Sequence, residues 1–420
     1  MLQRRKTIAV IGTLDTKGEQ VLFIKRLLER RGFHVITIDA GVLGDPPFEP
    51  HVTREQVASA GGGDLTELVG ARDRGAALAV MTRGTVAVIR ELHARGELDG
   101  VLGLGGGCGT AITGAALREL PFGVPKLIVS TMAGRDVSPY VGTKDIAMLN
   151  SVTDIMGLNP ILRRVLANGA GAIAGMVEMA EMAAEDGTPP RPTVAITVFG
   201  VTSVAAMRCR ELLEQRGYDT LLFHANGTGG RAMEELIDQG AIDAVLDLTT
   251  TELPDELCGG KLSAGPHRLE AAARRGIPQV VLPGAMDMVN FGPPETVPSR
   301  YDGRLFYLHN PGTTLMRTTP EENRILGRWV GERLSRSVGP AALILPLRGF
   351  SEYDVEGGVF HDPEADRAFM EAAMAVAGDR VQVVEIDAAI NDPECTGAAV
   401  ELLLQLATTG ALEGGAAKWQ

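Results

Sequence analysis

Apolar and polar positions alternate along the chain in blocks of two lengths. Short runs rich in Val and Ile, "TIAVI" (7–11), "HVITID" (34–39), "GVLGL" (100–104) and "KLIVS" (126–130), stand between longer segments of helical periodicity. Short runs that are apolar on both faces belong to parallel strands covered by helices. The alternation restarts at "TVAITV" (193–198) and continues through "TLLFH" (220–224), "DAVLDL" (243–248) and "QVVLP" (279–283). Further strands are expected at "RLFYLH" (304–309), "AALILPL" (341–347) and "VQVVEID" (381–387). The pattern predicts an α/β protein of two related Rossmann-like lobes, with mainly parallel sheets and a cleft between them.

The two series match segment by segment. "LLERRGF" (27–33) pairs with "LLEQRGY" (212–218), and "GVPKLIVS" (123–130) with "GIPQVVLP" (276–283). "ELHARGELDGVLGL" (91–104) and "ELIDQGAIDAVLDL" (235–248) agree at seven of fourteen positions. Each match spans a helix end, a strand start or both, in the same order. The expected organisation is an N-terminal lobe over 1–184, a linker over 185–192 inside "AAEDGTPPRP", and a larger C-terminal lobe over 193–420. The segment 159–184 reads as one or two helices. Thr319, Pro320 and Glu322 have the spacing of a helix start with a capping box, and Thr110 is placed just before another helix.

Composition narrows the function. The 420 residues suit two or three domains. A net charge of −13 argues against nucleic-acid binding, and leaves any anionic ligand dependent on local donors. The N-terminus has too few apolar residues before Gly12 for a signal peptide or a membrane span, so a cytoplasmic protein with no membrane partner is expected. Cys108, Cys209, Cys258 and Cys395 lack metal or disulfide spacing, and a metal site stays unknown. Self-association into a homo-oligomer is expected, as is common for bilobal cytoplasmic proteins.

The richest local signal is "GLGGGCGT" (103–110), between a strand and a helix. Ligands of open parallel sheets bind beyond the carboxyl ends of the strands. There Gly105, Gly106, Gly107, Cys108, Gly109 and Thr110 can bring backbone N–H groups to a phosphate at a helix N-terminus. The loop lacks the lysine of a Walker motif and the third glycine of a dinucleotide fingerprint. The other strand tips add polar groups: Gly12, Thr13, Asp15, Thr16 and Lys17 after the first strand, Asp39 after the second, and Ser130, Thr131, Gly134 and Asp136 after the fourth. Read together, they describe a nucleotide site; read singly, each is a turn, a cap or a packing glycine.

"GTLDTKG" (12–18), "GGGCGT" and "STMAGRD" (130–136) resemble the loops of a largely uncharacterised bacterial and plant family. That family includes the ATP-binding N-terminal inhibitory domain of a plant tobamovirus-resistance protein. The resemblance extends through "HANGTGG", "GAMDM" and "NPGTTLMRTT" in the second lobe. It implies two Rossmann-like subdomains, with ATP or a related nucleotide in the first; Mg2+ is an optional companion of that nucleotide. It supplies no catalytic residue.

The second lobe replaces the glycine loop with "LDLTTTELPDEL" (246–257). Its strand tips carry His224, Glu252, Asp287 and His309, residue types suited to acid–base work. An alternative function is therefore an enzyme acting on a small phosphorylated or carboxylated metabolite in the interlobe cleft. "NGTGG" (226–230) and "NPGTTLMRTT" (310–319), with Arg317, are candidate anion loops, and "PLRGFSEYDVEGG" (346–358), with Arg348, Ser351 and Asp354, a candidate wall or lid.

Overall fold

In a computed structural model that describes residues 4–184 and 191–414, the chain divides into two compact units, Met1–Thr188 and Pro189–Gln420. Residues 185–190 of the expected linker lie outside the described residues.

The first unit holds β1 (Thr7–Gly12), α1 (Leu14–Arg30), β2 (His34–Asp39), α2 (Arg54–Ala60), α3 (Leu65–Ala71) and α4 (Arg74–Ala94). It continues through β3 (Gly100–Gly105), α5 (Gly107–Arg118), β4 (Lys126–Ser130), α6 (Ser138–Val141), β5 (Ala147–Asn150) and α7 (Pro160–Ala184). Its strands form one parallel sheet in the order β2-β1-β3-β4-β5. Every residue of β1 and β3 is buried, because helices cover both faces. Ile8, Val10, Leu102 and Leu104 pack against α1 and α7 on one face; Ala9, Ile11 and Val101 pack against α2, α4 and α5 on the other. Burial of each such branched side chain contributes about 1.5–3 kcal/mol. The segment 159–184 is one helix, and α5 begins at Gly107, so Thr110 lies inside its first turn rather than before it.

The second unit repeats the plan with β6 (Thr193–Val198), α8 (Ser203–Glu214), β7 (Asp219–His224), α9 (Thr228–Asp238), β8 (Ala244–Thr249), α10 (Glu252–Cys258), α11 (Ala271–Arg275) and β9 (Gln279–Gly284). A three-stranded antiparallel sheet follows, made of β10 (Met288–Phe291), β11 (Phe306–Asn310) and β12 (Thr313–Arg317) in the order β10-β12-β11. The chain then adds α12 (Pro320–Ser335), β13 (Ala341–Pro346), α13 (Pro363–Ala377), β14 (Val381–Ile386) and α14 (Pro393–Gly414). The parallel sheet runs β7-β6-β8-β9-β13-β14. Its first five strands have the order of the first unit's five, and the three sequence matches fall on equivalent places: α1/β2 with α8/β7, α4/β3 with α9/β8, and β4 with β9. Two expectations change here. The strand at 304–309 belongs to the antiparallel sheet, and much of the expected anion loop at 310–319 is β12. The start of α12 is as the sequence indicates: Thr319 accepts from Glu322 N–H, and the Glu322 side chain accepts from Thr319 N–H.

Candidate functional site

In a sheet of this order the connections from β1 and β3 leave toward opposite faces, which opens a crevice at their carboxyl ends. A cavity of about 980 Å³ lies there in the first unit. Its floor and one wall come from Thr13, Asp15, Thr16 and Lys17 after β1, Ala40–Leu43 after β2, and Gly106–Gly109 after β3. The other wall comes from α3, α4 and the turn between them. Leu68, Val69, Leu78, Met81 and Ile112 give an apolar lining, and Arg72 and Arg74 add two cations.

The glycines of the loop divide by what surrounds them. A Cβ on Gly103 would collide with Thr113, and one on Gly105 would lie 2.7 Å from Gly109 Cα, so close packing of α5 on β3 accounts for both. A Cβ on Gly106 would meet only Thr131 Oγ1, at 3.7 Å, and one on Gly107 would meet nothing within 4 Å. Neither glycine has a positive φ. Neither packing nor a positive φ therefore calls for glycine at 106 or 107, both of which line the cavity. The first turn of α5 has Gly106 as its cap residue and no side-chain cap. Helix starts carry N–H groups without intrahelical partners and a partial positive charge, and here they open onto the cavity.

The charges around the cavity are unbalanced. Asp15 accepts from the N–H groups of Val42 and Leu43 through Oδ2, and Asp73 caps α4 by accepting from Gly75 and Ala76. Neither acid pairs with a cation among the described residues. Lys17 and Arg72 side chains have no hydrogen-bond or ionic partner among the described residues, and Arg74 reaches only Cys108 Sγ, at 3.2 Å. Asp15 Oδ1 is buried without a partner. Thr13 and Thr16 hydroxyls bond each other at 2.9 Å.

Of the residues singled out in the sequence, Thr13, Asp15, Thr16, Lys17, Gly106, Gly107, Cys108 and Gly109 line this cavity. The rest do not. Asp39 is buried and holds the start of α1, accepting from Leu14 and Gly41 N–H through Oδ1; burial raises its pKa despite those two bonds. Asp39 therefore orders the start of α1 rather than lining the cavity. Thr110 and Ser130 are buried and bond each other at 2.6 Å, tying α5 to β4. Gly12 packs against Val21. Thr131 stands behind Gly106, while exposed Asp136 accepts from Ser138 N–H and exposed Gly134 lies near Asn150.

The second unit does not assemble its four polar candidates. Glu252 is fully buried, accepting from Gly227 and Gly230 N–H and from Arg268 Nε. It therefore fills internally the place where "NGTGG" was expected to hold an anion. Arg268 also pairs with Asp247 and Glu234. Asp287 is buried and accepts from Ser351 Oγ, in a cluster where Arg317 binds Asp354 and Asp366. Burial raises all three of these carboxyls, with the Arg317 guanidinium pulling the other way. Arg317 and Asp354 are thus structural, and the 346–358 segment is packed at Ser351 and Asp354 rather than being a free lid. His224 and His309 are exposed; one stacks on Phe199 and the other bonds Tyr353. Among the described residues, no group of three or more His, Cys, Asp or Glu side chains is placed to hold a metal ion, and no helix is long and apolar enough to cross a membrane.

The sequence reading missed the opposite wall of the cavity. Its signal is "ARDRG" (71–75), a helix-capping Asp flanked by two arginines.

Residues 6–182 match the N-terminal domain, and residues 191–407 the C-terminal domain, of an uncharacterised protein family (UPF0261). A UPF0261 protein of Clostridium tetani is 46% identical over 404 residues, covering 96% of this chain and 99% of that one. Another, from Rhizobium meliloti, is 45% identical over 397 residues, covering 94% and 98%. The ToMV resistance protein Tm-1(GCR237) of Solanum lycopersicum is 38% identical over 337 residues, covering 79% of this chain and 45% of the plant protein.

Proposed function

The chain belongs to the UPF0261 family, and we propose that it binds ATP or a related adenine nucleotide in the cavity of its first unit. The observation that carries this reading is the pair Gly106 and Gly107: glycines that the fold does not require, at an uncapped helix start facing a cavity. Glycine there lets a phosphate approach the backbone N–H groups, as in other anion sites at helix starts. Lys17 lies on the same side with no partner and would neutralise phosphate charge. The aliphatic lining formed by Leu68, Val69, Leu78 and Met81 suits the flat apolar faces of a base, and the volume is at the upper end of the range typical of small-ligand sites. The ATP binding implied by the family resemblance agrees with this assignment. Mg2+ would accompany the phosphates, and buried Asp15 Oδ1, which has no partner, suits a water of its coordination shell.

Calorimetric titration of ATP into the full chain and into Gly106→Val, with and without Mg2+, tests the reading. The Val side chain meets only Thr131 Oγ1, in ordinary contact, so the variant is expected to stay folded, with a melting temperature lowered by no more than the loss of a glycine cap, and to lose the nucleotide. Absence of binding at millimolar ATP in the unaltered protein, or equal binding by the variant, overturns the proposal.

A further inference from the structure

The cations of the cavity say more than that an anion binds. One wall carries Lys17 and the open first turn of α5, the other carries Arg72, and Arg74 extends from that second wall to Cys108 Sγ of the first. In a chain with 53 acidic against 40 basic residues, three cations without a carboxylate partner around one cavity reverse the local balance. Asp73, the acid between the two arginines, is occupied by α4 backbone N–H groups. A single phosphate seated on the glycine loop lies beside Arg74 and leaves Arg72 uncompensated. A chain of two or three phosphates places negative charge against both walls.

Arg72 also occupies a position that the backbone would give to another residue. Its φ is +51°, a left-handed conformation that glycine adopts at lower cost. The preceding helix α3 packs on the core only through the partly buried Leu65 and Leu68, and the Arg72 side chain is exposed, so packing does not account for an arginine at this position. A guanidinium binds phosphate through two parallel N–H donors. Building on the nucleotide reading above, we infer that Arg72 grips the distal phosphates of a bound nucleoside di- or triphosphate from the wall opposite the glycine loop, with Arg74 bridging the two walls. The nucleoside end then lies toward the aliphatic lining, and the number of phosphates sets the affinity.

The test is calorimetric titration of AMP, ADP, ATP and inorganic tripolyphosphate into the full chain and into Arg72→Gly. Affinity of the unaltered protein should rise from AMP to ATP by about tenfold or more, and the variant should lose most of that rise while its affinity for AMP stays within about twofold. Glycine suits the left-handed φ, so a melting temperature no lower than that of the unaltered protein shows the fold kept. Arg72→Lys, which keeps the charge without the planar fork, should recover part of the rise. An undiminished rise in Arg72→Gly overturns the role of Arg72, and so does an equal loss for AMP and ATP. If the unaltered protein binds tripolyphosphate but no nucleotide, and Arg72→Gly binds neither, the nucleotide reading falls and the two-walled phosphate clamp stands. If the unaltered protein binds none of the four, both fall.

Discussion

At the scale of single residues, what distinguishes the glycines of "GLGGGCGT" is their neighbours. Gly105 is pressed against Gly109 Cα, so Gly105→Ala should destabilise the first unit by about 1–3 kcal/mol, seen as a lower melting temperature. Gly106→Ala, which loses only a glycine cap, should lower the melting temperature less than Gly105→Ala and weaken the nucleotide. The composition of the loop was legible in the sequence, and with it the suspicion of an anion site. The division of labour was not, because it depends on Thr113 and Gly109 of α5 standing against β3, a tertiary fact. The same limit explains Asp39, Glu252 and Asp287: a carboxylate at a strand tip reads alike whether it meets a ligand or, as here, buried N–H groups and arginines. A second residue prediction concerns Asp255, buried in α10, where Asn290 donates to both of its oxygens. Burial pushes its pKa up to about 7, above an ordinary carboxylate at about 4. The native state therefore holds a proton that the unfolded chain releases, and this residue's contribution to stability declines as pH rises from about 4 through 7. In Asp255→Asn nothing titrates at this position, so its melting temperature relative to the unaltered protein should climb between about pH 5 and pH 8. The gain corresponds to about 1.4 kcal/mol for each pH unit that separates the folded and unfolded pKa values. A flat difference across that range contradicts the assignment.

At the scale of elements, the strands that the sequence reveals are those with apolar runs of about five residues or more, whether buried throughout like β1 and β3 or largely unburied like β7 and β14. β5, with no buried residue, and the antiparallel β10 and β12 escaped. "AMLN" and "MVNF" are too short for a period to show, and "TTLMR" ends in an arginine that reads as a loop cation until β12 carries it into the interior. The turn between α3 and α4 escaped for another reason. Its arginines look like ordinary solvated charge, and only the placement of α4 over the carboxyl edge brings them to the cavity. That placement depends on the Asp73 cap. Asp73→Ala should cost about 1 kcal/mol of stability and also weaken ATP binding by loosening Arg72 and Arg74. Asp64→Ala, which removes the matching cap of α3, should weaken ATP less. Paired melting and titration measurements on both variants check the difference.

At the scale of the whole molecule, the two units share a strand order yet differ at the place that matters. The first unit keeps an open helix start after its third strand. In the second, the residue opening the corresponding helix, Glu252, is fully buried and binds Arg268. The internal sequence matches predicted the duplication because helix ends and strand starts are constrained in both copies, whereas the loops that carry chemistry are free to diverge. Each unit is also one unbroken stretch of chain, and the core clusters of the first lie wholly within its own residues. A fragment ending at residue 188 should therefore fold alone and bind ATP about as the full chain does, measurable by circular dichroism and titration; an unfolded fragment would contradict this. The contiguity has a consequence in time. Synthesis proceeds at about 5–20 residues per second, so the ribosome needs roughly 10 to 50 s to add the rest of the chain after residue 188. During that interval the nascent N-terminal half can already close around a ligand from the surrounding solution. The small-molecule pool present at translation would then stabilise half of the protein before the other half exists.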